Sequence, residues 1–529
     1  MPPEPSRRTP PWPLLVGVAT VLSVTAILIE VTWSRAGGNL VYALDDSYIH
    51  LAVARNLRDS GTWGIWPGIF TTPCSSLLWP LLLAAANAGV WMPLIFNVVF
   101  GIGLLGLFFR ERRANESPWF SLGVLLAVIW LAPIPAMIIS GMEHLLHALV
   151  LLLLLGHLRP PSEEPRPWRT WRSWLPAAIF AALASMTRYE SLFVILPIGV
   201  VLLRQRQGVG AAMIGFAAAL PLGVFAVVSK LKGGFLVPAS VLAKAGVPQV
   251  GLASLAQRLV RRPGDALIQN PHVFVIVLVT LALLAARPRL SLRTRNMLFI
   301  TLVATVVHLF LASFGWFFRY ELYLVTMFLF AAAEAARDLG LADHPLRWLD
   351  RRAVVTGHLA LAALLVFPLV RRGASAVKGC VQAPRNIYEQ QVQIARFLGR
   401  HYRGGAVALN DIGAAAYFSG VRILDLRGLA DPVILRARLG RAFDARLIAE
   451  RAASVGVAVA IVYDPWFKGS AGLPVTWTRV AQWRVGDNVV LGGDTVTFYA
   501  TTAKEAVRLR AALAAFAQEL PPRVEATWL

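Results

Sequence analysis

Apolar runs of membrane-spanning length alternate with short polar connections over the first 370 residues of the chain. The runs fall at 12–31, 91–109, 118–137, 141–158, 174–187, 190–204, 209–229, 271–286, 296–313, 319–336 and 353–370, which predicts about 11 transmembrane helices. A further run at 75–89 contains Trp79, Pro80 and Asn87 and reads as a juxtamembrane or re-entrant helix. The first run follows Arg7 and Arg8 and has no small-residue cleavage site close behind it, so it reads as an uncleaved span rather than a signal peptide. The runs that meet at 187–190 are short, which implies a cavity or a thin, kinked region there.

Past residue 373 the pattern changes. Residues 385–400 read as an amphipathic helix. AVAL (406–409), RILDL (422–426), VAVAIVY (457–463), TRVAQW (478–483), NVVL (488–491) and TVTFYA (495–500) read as strands, and 504–520 reads as a helix. The expected architecture is a polytopic α-helical membrane domain, 1–372, followed by an α/β domain, 373–529.

Composition agrees with the pattern. The 529 residues are 57% hydrophobic and 15% charged, against about 25% charged in soluble domains. The net charge of +22 would suit nucleic acid, but the arginines sit in short loops between apolar runs, as the positive-inside rule requires. With the N-terminus inside, Arg110–Arg113, Arg159–Arg172, Arg204–Arg206, Arg287–Arg295 and Arg347–Arg352 all fall on the cytoplasmic face. Arg371 and Arg372 are exceptions, near the exit of the last span. The two cysteines, Cys74 and Cys380, make no metal-binding spacing; both fall on the outer side, where a disulfide between them is one arrangement open to them.

The outer face collects the ionisable residues. It holds the loop 32–74 with Asp45 and Asp46, the turn SGMEHLL with Glu143 and His144, TRYE at 187–190, the loop 230–270 with Lys244, and GWFFRYE at 315–321. Ionisable groups at the ends of spans are costly unless used or paired. Asp45 and Asp46 suit a solvated helix N-terminus; they equally suit a general base or a metal ligand at the mouth of a membrane cavity. Glu143 and His144 read as a polar turn, or as a second carboxylate that orients an acceptor. Arg188, Lys244 and Arg319 read as interfacial cations, or as binders of a departing phosphate. Tyr48, His50, Trp316 and Tyr320 are candidate substrate contacts. Trp63, Trp66, Trp79 and Trp316 fit an aromatic belt, with sugar stacking as the other reading. Asp411, Asp425 and Asp431 lie at expected turns, where turn chemistry and ligand binding explain them equally.

These pieces carry a resemblance. DDSYIHLAVARNLRDSGTWGIWPG (45–68) with TTPCSSLLWPLLLA (71–84) resembles the first outer loop of GT-C membrane glycosyltransferases, in particular the branch of mycobacterial terminal arabinofuranosyltransferases. SGMEHLL, FLVPASVLAK (235–244), FRYELYL (318–324) and NDIGAAAYFSGVRILDLRGLADP (410–432) resemble later segments of that branch, in the same order. Ala239 stands where Asn is usual, and TRYES where an Arg-Pro-Glu type sequence is common. The resemblance implies an inverting transfer of a sugar, arabinofuranose or a hexose such as mannose, from a polyprenyl-phosphate donor. The acceptor would be a cell-envelope glycan, lipid or protein on the outer face of a bacterial cytoplasmic membrane. It implies Asp45, or Asp46 beside it, as the base. No cofactor is certain; a divalent cation, Mg2+ or Mn2+, would have Asp45, Asp46 and Glu143 as its ligands. The rival readings are a lipid-linked sugar transporter or flippase, which predicts an internal repeat and ionisable groups near the midplane, and a non-catalytic envelope-assembly scaffold.

Overall fold

The computed structural model describes residues 10–112, 116–158, 171–245, 262–342, 352–468 and 472–529. A helix stands in each of the eleven apolar runs. In chain order the helices are α1 (Trp12–Arg35), α2 (Asp46–Ser60), α3 (Leu78–Ala85), α4 (Met92–Arg110), α5 (Pro118–Leu131), α6 (Ile134–Ser140), α7 (His144–His157), α8 (Leu175–Thr187), α9 (Leu192–Arg204), α10 (Gly208–Leu231) and α11 (Ala239–Ala245). They continue with α12 (Arg262–Gln269), α13 (Pro271–Ala285), α14 (Leu292–Leu311), α15 (Leu322–Asp338) and α16 (Arg352–Ile387). Proline opens the first turn of α1, α4, α5, α8 and α13, where its missing N–H costs nothing.

Length separates these helices. Five are long and apolar enough to cross a membrane, with α5 and α6 forming one broken span; a sixth is the pair α12 and α13, bent by 100°. The helices α8 and α9 have 13 residues each. At 1.5 Å per residue each is about 20 Å long, well short of a ~30 Å hydrocarbon core. The run at 75–89 yields the eight-residue α3, too short to span.

The C-terminal region forms a six-stranded sheet of order β2-β1-β3-β5-β4-β6. Its strands are β1 (Ala406–Leu409), β2 (Arg422–Asp425), β3 (Val457–Val462), β4 (Thr478–Val485), β5 (Thr495–Ala500) and β6 (Val524–Trp528). Its helices are α17 (Gln393–His401), α18 (Gly413–Phe418), α19 (Pro432–Leu439), α20 (Ala445–Val455) and α21 (Ala503–Phe516). β1 pairs parallel with both β2 and β3, and the remaining pairings are antiparallel. The segment 488–491, expected as a strand, is instead a turn. Asn488 Oδ1 accepts the N–H groups of Val490 and Leu491 at 3.0 and 2.8 Å, and this local bonding outcompetes a ladder. The strand β6 was not expected.

The helix α16 passes through residue 373 without a break and continues as a π-helix, Tyr388–Val392, into α17. Arg372, an exception to the charge rule, is buried on α16 and paired with Glu321 at 3.1 Å. It is an internal ion pair rather than a loop charge. Cys74 and Cys380 are both buried and are not joined in a disulfide; the Cys380 thiol donates to the Ala136 carbonyl at 3.6 Å.

The two regions meet where α2 packs against α18. Arg55 on α2 donates to the carbonyls of Tyr417 and Ala416 at 2.5 and 3.0 Å, and Arg436 reaches back to the carbonyl of Gly233 at 2.6 Å. Gly413 opens α18 directly against Asp45, so close that a Cβ there would strike both the Asp45 carbonyl oxygen and its carboxylate. Gly413→Ala is therefore expected to destabilise the docked chain by about 1–3 kcal/mol, the usual range for an overpacked site. The lowered unfolding midpoint would be read in detergent. Gly199→Ala, with open space around it, is the control and leaves the midpoint unchanged.

Candidate functional site

The loop between α1 and α2, the start of α2, the α6–α7 turn, the α8–α9 connection and the α14–α15 loop converge on one cluster. At its centre Arg188 donates through Nη1 to Glu143 Oε1 at 2.8 Å, and through Nη2 and Nε to the two oxygens of Glu190 at 2.6 and 3.2 Å. A buried cation needs such partners. Glu143 also faces His50 at 3.8 Å. The ring of Tyr320 lies between the guanidinium groups of Arg188 and Arg319, 5.7 and 5.0 Å from its centroid, and His144 stands 6.3 Å away, ring to ring.

Arg319 forms the other half. Its Nη2 donates to Asp46 Oδ2 at 2.5 Å and to the Tyr320 hydroxyl at 3.2 Å. Its Nε and Nη1 are buried and have no hydrogen-bond partner among the described residues. A guanidinium with two buried N–H groups unmet is short of an acceptor. Arg188, by contrast, is fully engaged by two carboxylates.

An unusual backbone delivers Arg319. Gly315, Trp316, Phe317 and Phe318 all have positive φ, at 75°, 41°, 63° and 60°. Left-handed geometry costs an L-residue roughly 1–2 kcal/mol, so three successive aromatic residues hold it only because their surroundings insist. Glu321 accepts the Gly315 N–H at 3.0 Å, and Arg372 bonds the carbonyl of Phe318 and, at 3.0 Å, that of Leu131. His272 approaches Glu321 at 3.4 Å. The Glu321–Arg372 pair thus clamps both ends of the turn. Trp316 at its tip is half exposed.

A cavity of 260 Å³ opens beside the cluster. Its lining is mixed: Arg188, Glu190, Tyr320 and Ser75 contribute polar groups, and Leu192, Phe193, Val241 and Leu311 contribute apolar ones. Lys244 belongs to α11, as does Val241, but its side chain lies outside the described residues.

The two adjacent aspartates part company. Asp46 keeps a side chain that is 34% exposed. Asp45 is buried and points into the C-terminal sheet domain. Its oxygens accept the backbone N–H groups of Gly413 and Ala414 at 2.5 and 2.8 Å. Asp411 hydrogen-bonds to it from the loop that follows β1. Strand order reverses at β1, whose neighbours β2 and β3 lie on either side, and the crevice beyond the carboxyl ends of such strands is where open α/β sheets commonly bind ligands. Here Asp45 fills it. Tyr463, after β3, donates to Gln390 Oε1 at 2.6 Å and to Asp411 at 3.3 Å, while Gln391 donates to Tyr463 and Asp411 at 2.7 and 3.2 Å. Tyr48, one turn into α2, is buried among Tyr42, Tyr417 and Phe418. The other outer-domain aspartates serve their own turns. Asp425 accepts the N–H groups of Arg427 and Ala430; Asp431 caps α19 and pairs with Arg451.

Two hydrogen-bonded carboxyls must share a proton. Burial pushes Asp45 up to about 6 against the opposing pull of Ala414, Asp411 and Gly413; burial, then the charges of Asp45 and Asp46, push Asp411 well above its ordinary value. Among the described residues no three His, Cys, Asp or Glu side chains are grouped to hold a metal ion.

Comparison with known proteins bears on both regions. Residues 385–499 match a domain of unknown function, DUF8728. No curated protein sequence matches the chain. Among solved structures, ArnT from Cupriavidus metallidurans in the apo state aligns with a TM-score of 0.52 and 12% identity, covering 93% of this chain and 98% of that one. The same protein bound to undecaprenyl phosphate aligns at 0.50 and 11%, over 94% and 99%. An oligosaccharyltransferase from Archaeoglobus fulgidus, in complex with Zn and sulfate, aligns at 0.45 and 13%, over 95% of this chain and 74% of that one. The likeness to ArnT is one of fold, and it extends over nearly the whole chain.

The carboxyl pair makes a signed prediction. A carboxyl raised above its unfolded value of about 3.9 holds its proton more tightly when folded. Its contribution is complete below that pH and is lost as pH rises through about 6 for Asp45. Asp411→Asn supplies a hydrogen-bond donor that needs no proton. It is expected to remove the Asp411 part of this dependence and to stabilise the protein relative to wild type near neutral pH. Melting in detergent across the acidic range, wild type against variant, measures the difference.

Proposed function

We propose that this chain is a GT-C-type glycosyltransferase that moves a sugar from a polyprenyl-phosphate donor to a cell-envelope acceptor. The observation that carries the reading is the mixed lining of the cavity: Arg188 and Tyr320, with Arg319 beside Tyr320, together with Leu192, Phe193, Val241 and Leu311. A lipid phosphate presents the same two kinds of surface, an anionic head and an apolar chain. The fold shared with ArnT, which has been crystallised with undecaprenyl phosphate, supports a donor of that kind. The sugar is arabinofuranose or a hexose. By the alternation of arginine-rich loops, the eleven helices would all cross or enter the membrane, with the N-terminus cytoplasmic and the C-terminal domain outside.

In this reading Asp46 is the base. It is the reachable member of the pair, whereas both oxygens of Asp45 are bound to the sheet domain. Asp46 takes the proton of the acceptor hydroxyl as its oxygen bonds the anomeric carbon from the face opposite the phosphate. The carbon–oxygen bond to the phosphate breaks and the electron pair leaves with it. Arg319 meets the growing charge through its two unpartnered N–H groups without surrendering Asp46. Glu143 and Glu190 hold Arg188, and with it Tyr320, in place. Asp45 positions Asp46 by anchoring the residue before it, and Lys244 is a further candidate for the phosphate.

Transfer from a radiolabelled polyprenyl-phosphate sugar by purified protein tests this assignment. Asp46→Asn is expected to lower kcat by roughly 10²-fold or more with the unfolding midpoint unchanged. Arg319→Lys, which keeps the charge but loses the fork, is expected to lower it as well. Full activity in both Asp46→Asn and Asp45→Asn would sink the mechanism.

A further inference from the structure

A second groove, in the sheet domain, shares no lining residue with the cavity beside this cluster. It encloses 440 Å³ and is lined by Arg396, Arg400, Arg403, Phe418, Phe516 and Glu519, among others. Arg396 and Arg400 are one helical turn apart on α17 and face the same way; Arg403 follows just past its end. Arg400 pairs with Glu519 and lies 5.6 Å over the Phe516 ring. With one carboxylate against three guanidinium groups, the wall carries an excess of two positive charges.

The groove's depth can be read from its contacts. Arg396 donates to Asn39 Oδ1 at 3.2 Å. Asn39 lies just beyond the end of α1, and the chain there folds back on the helix. Gly38 N–H donates to the Trp33 carbonyl at 3.0 Å, and Asn39 N–H to Ala36 at 3.2 Å. Trp33 packs against Trp91 at 5.9 Å between ring centroids, and both are partly exposed at the ends of apolar helices. Exposed tryptophans in such places mark the level of lipid headgroups. The basic wall therefore begins at headgroup depth and rises from it.

We propose that this groove binds the phosphate of an anionic phospholipid in the leaflet on which the C-terminal domain lies. Two arginines one turn apart offer paired N–H donors to phosphate oxygens, and Phe418, 45% exposed, supplies an apolar surface in the groove lining. Bound there, the lipid joins α17 to the chain just past the end of α1, two parts that the Arg396–Asn39 hydrogen bond already brings together. The site is independent of sugar transfer and stands whether or not the reaction proposed above occurs.

Native mass spectrometry of the full chain in uncharged detergent, titrated with phosphatidylglycerol, phosphatidylcholine or inorganic phosphate, tests it. Phosphatidylglycerol is expected to bind roughly tenfold or more tightly than phosphatidylcholine. The triple replacement Arg396→Ala, Arg400→Ala and Arg403→Ala should abolish that preference. Glu519→Gln, which releases Arg400 without emptying the groove, should tighten phosphatidylglycerol binding severalfold; this second variant decides the matter if the triple one does not fold. Equal binding of the two lipids, or a preference untouched by either variant, overturns the proposal. So does displacement of the lipid by inorganic phosphate at equal concentration, which would make the groove a site for free phosphate.

Discussion

A carboxylate removed from water must have its oxygens met, or it gives up its charge. Asp45 satisfies this condition across a domain boundary. The loop after the first span supplies the carboxylate, and the start of α18 supplies the two N–H groups. Asp411 closes the arrangement from the end of β1. This interaction fixes where α2 begins, and so where Asp46 stands relative to Arg319. It also places a side chain of the membrane domain at the crevice of the sheet. The sheet domain is, in this respect, a receptor for a loop of its own chain.

On the other side of the cluster the constraint is strain. Arg319 follows three left-handed aromatic residues, and the turn holds because Glu321 and Arg372 grip its two ends. Both the aspartate and the arginine of the Asp46–Arg319 pair are thus placed by residues that do not line the cavity. Such arrangements cluster where geometry matters more than stability. The helices that carry the pair need not be long or perfectly packed for the pair to be well placed.

Much of this was legible in the sequence, for reasons that differ by element. Helices in the apolar runs follow from hydrophobic length, which leaves a strong mark. The number that cross is not set by that mark, since α8 and α9 are helical yet only 13 residues long. The gathering of Asp46, Glu143, Arg188, Arg319 and Tyr320 could be anticipated because charge alternation puts their loops on one face. The near-neighbour pairs, Arg188 with Glu190 and Arg319 with Tyr320, could be anticipated too; the pairing of Arg319 with Asp46 could not, because the two are 273 positions apart. The turn at 488–491 misled because its apolar letters match a strand, while the deciding group was the Asn488 side chain. β6 was missed because it is a short edge strand after two prolines, with alternate residues exposed. Asp411 looked no different from Asp425 and Asp431; two of the three serve turns, and the partner of the third was far away in sequence.

The passage from α16 through the π-helix into α17 also has a mechanical side. No slack joint separates these segments. One continuous rod runs from the apolar end of α16, beneath the clamp at Arg372, to the residues that grip Tyr463. The wider π turn brings the consecutive residues Gln390 and Gln391 to the same tyrosine hydroxyl, which a regular helix would have turned about 100° apart. A linker would absorb a displacement of the sheet. A rod transmits it as torque, so rotation at the sheet arrives at Arg372, and through it at the strained turn, as a twist rather than a tug.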